Sequence, residues 1–246
     1  MKYKAIISLL IINLFSASFV RAENIAFGTL IDDQGSFFSS FGDQHLLGET
    51  RGANFGGNDV LWYGVNMSSS SGANGIYWNG IPSIGNSYDY SLIYNGSPGT
   101  AEVANNLTNT GYYGWSFNIS ISAVAGETYL IDLLFANQFS GSTLSGNYYP
   151  YRTMDISVGG LLYADDLTLN GTESTDRRPL VYRFEFTPSS NSIEVAFSNG
   201  DYVTGFPTDR MPMVNAMTVT QVPEPSALLL FAVGLSGLGM IRRHRS

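Results

Sequence analysis

The amino-acid sequence predicts an all-β protein whose body is an antiparallel sandwich. Two observations carry this. Apolar and polar residues alternate along several short runs, and Gly, Pro, Asn and Ser clusters punctuate those runs at intervals suited to turns. No long helical period interrupts them. Helices are expected only at the chain ends, one in an N-terminal signal and one short membrane-spanning segment near the C-terminus.

The elements follow in order. Tyr113, Trp115, Phe117, Ile119 and Ile121 alternate with Gly114, Ser116, Asn118, Ser120 and Ser122, which reads as one strand with an apolar and a polar face. Ala125-Gly126-Glu127 makes a turn. Thr128 to Ala136 is apolar on both faces except at Asp132, so this strand is expected in the centre of a sheet. Met154, Ile156 and Val158 alternate with Asp155 and Ser157, and Gly159-Gly160 then turns the chain into Leu161-Leu162-Tyr163 as a hairpin. Tyr182, Phe184 and Phe186 form the next strand, Pro188 to Asn191 a loop, and Ile193, Val195 and Phe197 another strand. A last strand runs near Val214 to Val222. The earlier segment, Glu23 to Thr110, holds aromatic runs at Leu61-Trp62-Tyr63 and Ile76-Tyr77-Trp78 between Gly- and Ser-rich loops. It reads as early strands and long loops of the same sandwich.

Charge and cysteine content narrow the function classes. Both lysines, Lys2 and Lys4, lie at the N-terminus, and the body from Glu23 to Val222 carries six arginines against nineteen acidic residues, a charge of −13. Such a surface disfavours nucleic acid and anionic lipid. The chain has no cysteine, so packing rather than disulfides must hold the body, and a thiolate zinc site is excluded. Roughly 200 residues suffice for one large β domain with its own core.

The two ends read as sorting signals. Lys2 and Lys4 precede an apolar stretch from Ala5 to Phe19 and a small-residue site at Val20-Arg21-Ala22, the pattern of a secretory signal peptide over residues 1–22. At the other end Pro223 and Pro225 hold Glu224 on extended backbone. Ser226 can cap a helix through Ile241. That helix is roughly 24 Å long at ~1.5 Å rise per residue, short against a hydrocarbon core of about 30 Å. Arg242, Arg243 and Arg245 follow and stay cytoplasmic by the positive-inside rule. Val222-Pro-Glu-Pro, a short apolar helix and an Arg-rich end resemble the PEP-CTERM sorting domain over residues 222–246. The resemblance implies a Gram-negative bacterium that makes exopolysaccharide. It also implies transient residence in the inner membrane and an exosortase partner that processes the chain near Pro223, Glu224 and Pro225, with the arginines as stop signal. The expected location is the envelope, cell surface or extracellular matrix. The three segments are therefore 1–22, 23–222 and 223–246.

The body, over Gly111 to Val222, resembles the malectin and carbohydrate-binding-module type of jelly-roll, broadly the galactose-binding-like folds. The matching pieces are Gly126 to Phe135, Arg152 to Val158, Tyr182 to Phe186, Ser192 to Phe197 and Val214 to Val219. Flat rings on a rigid sandwich can stack on sugar C–H faces while Asp, Asn and Arg bond hydroxyls. Trp62, Tyr77, Trp78, Tyr149 and Tyr151 are the candidate rings, with Arg152, Asp209 and Arg210 as polar partners. Each ring can equally fill the core.

Catalytic constellations are sparse. His45 is the one histidine of the body, and no Gly-x-Ser-x-Gly elbow, His-Glu-x-x-His or Walker loop occurs. Asp32-Asp33 and Asp165-Asp166 are adjacent pairs. On a strand adjacent side chains point to opposite faces and make no glycosidase dyad; in a loop they could share a Ca²⁺, or be plain solvated turns. No cofactor is expected beyond that. The expectation is an exported, non-catalytic structural or adhesive protein. The alternative is a carbohydrate-binding module, and a more remote one an enzyme that acts on glycosides through two distant carboxylates.

Overall fold

The structure, a computed structural model, describes residues 29–31, 41–79, 101–108, 110–136, 143–144, 147–148, 151–169, 180–204 and 208–223. The chain divides into two units, residues 26–222 and residues 1–25 with 223–246. All of the second except Pro223, and with it the expected signal helix and membrane helix, lies outside the described residues. Among the described residues no helix is long and apolar enough to cross a membrane.

The body is a two-sheet sandwich. The strands are β1 (Thr29–Ile31), β2 (Glu49–Asn54), β3 (Val60–Trp62), β4 (Val65–Ser68), β5 (Ile76–Trp78), β6 (Tyr112–Tyr113), β7 (Phe117–Ser122), β8 (Thr128–Phe135), β9 (Thr143–Leu144), β10 (Asn147–Tyr148), β11 (Tyr151–Val158), β12 (Leu161–Leu169), β13 (Leu180–Phe186), β14 (Ser192–Asn199), β15 (Thr208–Asp209), β16 (Met213–Val214) and β17 (Ala216–Val222). One sheet has the order β1-β13-β8-β17-β2-β4-β3. The other has the order β12-β11-β14-β7-β5, with β15 paired to β11. Most pairings are antiparallel, as the alternation implies. Two are parallel, β2 with β4 and β11 with β15.

Period-2 alternation builds the core between the sheets. Ile131, Leu133, Phe135, Phe184 and Val219 from the seven-stranded sheet meet Ile119, Ile156, Val195 and Phe197 from the other. Outward positions of β7 (Asn118, Ser120 and Ser122) stay exposed. The Gly159-Gly160 turn joins β11 to β12 as expected, with φ of 56° and 81°. Non-glycine residues pay a steric penalty there.

β8 sits between β13 and β17, the central place its two-sided apolar pattern requires. Its second face packs under a separate apolar layer of Phe41, Trp62, Val65, Met67, Leu107 and Leu134. One short helix, α1 (Ala101–Thr108), contributes Leu107 to that layer, and a 3-10 turn (Asp43–Leu46) follows Phe41 and Gly42. Two asparagines anchor α1: Asn54 donates to the Asn106 carbonyl (3.4 Å), and Asn215 donates to the carbonyls of Thr108 (3.0 Å) and Thr110 (2.7 Å) and accepts from the Ala136 amide (2.6 Å). Carbonyls at a helix C-terminus lack intrahelical donors, and these side chains supply them.

Asp132 lies on this second face, 1% exposed. Arg183, directly opposite on β13, donates from Nε and Nη2 to its two oxygens at 2.7 and 2.8 Å. The Gly42 amide adds a third donor at 3.0 Å, and Arg183 Nη2 also reaches Asp43 at 2.7 Å. Burial pushes the Asp132 carboxyl above the usual carboxylate range, while the guanidinium and the Gly42 amide pull it back. Removing one partner leaves a buried charge without compensation. Arg183→Ala is expected to lower the unfolding free energy by about 3–5 kcal/mol. Adding Asp132→Ala should recover a large part of that loss, read by urea denaturation.

Candidate functional site

The apolar alternation that begins at Tyr113 does not continue as one strand. β6 ends at Tyr113, the chain bends through Gly114, Trp115 and Ser116, and β7 starts at Phe117. The bend turns Trp115 outward, 70% exposed, instead of into the core. Across from it β14 ends at Asn199, and the chain continues through Gly200 and Asp201 to Tyr202, 69% exposed. The Asn199 amide, with its nitrogen toward them, donates to the carbonyls of Trp115 (2.5 Å) and Arg210 (2.9 Å). Arg210 places its guanidinium carbon 4.6 Å from the centre of the Tyr202 ring, and its Nε donates to the Gly200 carbonyl. A guanidinium over a ring face is attracted by the ring quadrupole, so Arg210 steadies Tyr202. One asparagine thus ties together the two segments that carry an exposed tryptophan and an exposed, arginine-backed tyrosine.

An acidic bulge adjoins this platform. Met154 pairs with Leu167 and Ile156 with Ala164, so Asp165 and Asp166 together oppose Asp155. Asp166 takes φ 53°, a left-handed conformation that Asp tolerates better than most residues. Its amide donates to Asp155 Oδ1 at 2.9 Å, and its carboxylate accepts from the Asp201 amide. Gly200 lets these segments approach: a Cβ there would lie 2.8 Å from the Met154 nitrogen and 2.9 Å from Asp166 Oδ1. Carboxylate oxygens of Asp155, Asp165 and Asp166 lie within 4.8 Å of one another, a donor set of the kind that hard cations such as Ca²⁺ take. Burial, and then the charges of Asp166, Asp165 and Asp201, raise the Asp155 pKa; the Asp166 amide opposes them.

The residues singled out in the sequence scatter. Trp62 is fully buried, its Nε1 donating to the Phe41 carbonyl at 2.8 Å, and Trp78 is 8% exposed and packs edge-on against Phe55. Neither can serve as a sugar platform, because both alternate inward on their strands. Arg152 is 1% exposed and donates to the Met211 carbonyl, so it is a core arginine rather than a ligand group. Tyr77 is half-exposed but stands on β5, at the opposite edge of its sheet from β12. Of the candidates Arg210 joins the platform. Asp165 and Asp166 lie on a strand with a bulge, not in a loop. His45 lies in the 3-10 turn, stacked on Tyr63 at 5.1 Å. Tyr149, Asp32, Asp33, Glu224, Pro225, Arg242, Arg243 and Arg245 lie outside the described residues, as do the side chains of Tyr151 and Asp209. Trp115, Tyr202, Asn199 and Asp155 were missed. The glycine beside Trp115 was the available signal that its strand breaks.

Comparison with known proteins bears on both the tail and the body. Residues 221–245 match the PEP-CTERM protein-sorting motif. The PEP-CTERM tail marks a protein exported across the inner membrane of a Gram-negative bacterium to the envelope or surface, and a substrate of an exosortase. The body is similar in fold to malectin-like plant receptor ectodomains. One is the structure of plant peptide RALF23 in complex with FER and LLG2 (14% identity, TM-score 0.54, covering 71% of this chain and 49% of that one). Others are the plant receptor-like kinase ANX2 (13%, 0.53, 71% and 48%) and the ANXUR1 extracellular domain from Arabidopsis thaliana (13%, 0.52, 70% and 48%). The chain spans about half the length of these structures, and the likeness is one of fold. No curated protein matches it.

The raised Asp155 pKa sets a pH dependence. A carboxyl whose pKa rises on folding contributes stability below its unfolded value, and that contribution is lost as pH climbs through the folded value. Asp155→Asn keeps an acceptor for the Asp166 amide and removes the charge. In EDTA the variant should therefore match the wild type below about pH 4 and exceed it in stability toward neutrality, measured by urea unfolding across pH.

Proposed function

We propose that this is a non-catalytic component of the envelope or exopolysaccharide matrix that adheres by binding polysaccharide through Trp115 and Tyr202, with Arg210 backing the tyrosine ring. The PEP-CTERM tail supports the location and the exosortase partner. The single observation behind the binding role is the pair of rings, 70% and 69% exposed, held in place by Asn199 and Arg210. Large rings exposed on a sandwich rim cost solvation unless a partner covers them, and sugar C–H faces suit them. Asp201, next in the chain to Tyr202, and Asp166, which holds its amide, add carboxylates that can accept from hydroxyls.

Both rings project from the surface, so truncating them should leave the fold intact. The Trp115→Ala, Tyr202→Ala double variant is expected to lose retention on the cell's own released exopolysaccharide by at least about ten-fold, a change of 1.4 kcal/mol, while its urea midpoint stays unchanged. Undiminished retention would sink the binding role.

The tail carries a separate expectation. Deleting Pro223 to Ser246 should shift the protein between envelope and medium fractions, and mass spectrometry of the mature protein should place its C-terminus near Pro223-Glu224-Pro225. An intact Ser246 in the surface fraction would argue against processing.

A further inference from the structure

The acidic bulge is joined to the Tyr202 segment through Asp201. Asp201 is the chain neighbour of Tyr202, and its amide is held by the Asp166 carboxylate. The Asp155, Asp165, Asp166 and Asp201 carboxylates therefore gather on the side of Tyr202 that continues into Asp201, and Asp165, Asp166 and Asp201 are exposed to solvent. The cation against the Tyr202 ring is Arg210. Its guanidinium is already engaged by the Gly200 carbonyl and the Tyr202 ring. The carboxylates thus have solvent before them, while the Arg210 guanidinium is turned to its own chain.

From this we propose that the Trp115–Tyr202 site selects uncharged polysaccharides and rejects uronate or otherwise anionic polymers. The inference rests on the glycan-binding reading above and deepens it by naming the ligand class. The carboxylates accept hydrogen bonds from neutral sugar hydroxyls, which are donors. A ligand carboxylate brings no donor and adds a like charge at close range, which is repelled. Ring stacking is indifferent to that charge, so the bulge and not the platform sets the choice. Because these charges are exposed, the rejection must weaken as salt rises. A purely steric preference would show no such dependence.

The test uses the full chain in affinity electrophoresis. Gels contain either a neutral polymer (a glucan, a mannan or a galactan) or alginate, at low ionic strength with EDTA. A neutral polymer is expected to retard the protein at least about ten-fold more strongly than alginate. The difference should shrink in high salt. The Asp165→Asn, Asp201→Asn double variant, altered only at exposed side chains, should raise the ratio of alginate to neutral-polymer retention several-fold. Equal retention of alginate by the wild type in EDTA, with the ring variant still defective, overturns the charge selection and leaves the glycan-binding reading standing. Alginate retention that appears only on adding Ca²⁺ also overturns it, since the bulge would then bridge to anions through the cation. Failure of all three neutral polymers, or retention untouched by loss of the rings, overturns the binding reading itself and the selection with it.

Discussion

The buried pair between Asp132 and Arg183 constrains the rest of the body. β8 must lie in the middle of the seven-stranded sheet because both its faces are apolar, yet it carries a carboxylate at a position 1% exposed. A charge there is tolerable only with compensation from every side. Arg183 faces it in register, and the Gly42 amide closes over it from the turn at 41–46. Those same contacts hold Phe41 over Trp62, and so seat the second apolar layer on the back of the sheet. Slipping β13 by one residue against β8 would move Arg183 to the opposite face. The pair therefore specifies register as well as covering.

With the seven-stranded sheet set, its inner face positions the other sheet. Ile131, Leu133 and Phe184 pack against Ile156, Val195 and Phe197, fixing β11 and β14 side by side. The rim where β14 ends can then deviate from regular pairing without disturbing the core. The bulge at Asp165 and Asp166, the Gly200 crossing and the Trp115 bend all occur at that rim. Asn199 links the bend to Arg210, while its own strand remains paired to β11 at Met154. A rigid sandwich beneath an irregular rim is the general arrangement for a binding surface. The acidic bulge also blunts β12, an edge strand that would otherwise offer free amides and carbonyls to another chain.

Much of this architecture was legible from local pattern. The turns at Ala125-Gly126-Glu127 and Gly159-Gly160, the strands around Phe184, Val195 and Val219, the central place of β8 and the sorting tail each follow from residues close together in the chain. Period-2 alternation and turn chemistry act over a few residues, so they can be read without the fold. The helix Ala101–Thr108 escaped notice because it is short, and its C-terminal carbonyls are capped by Asn215, more than a hundred residues away.

Contacts between distant segments decided the rest. Trp62, Trp78 and Arg152 looked available because aromatic and cationic side chains near glycine-rich stretches often face solvent; sheet pairing turned all three inward. Trp115 looked buried because its parity matched Phe117 and Ile119; the bend at Gly114 reversed it. Whether Asp165 and Asp166 sit in a loop or a bulge depends on β11 lying opposite, and the closeness of Asp155 and Asp201 depends on β14 and the Gly200 crossing. Alternation assigns a residue to one of two faces, but only the pairing of strands far apart in the chain settles which face water reaches and which charges meet there.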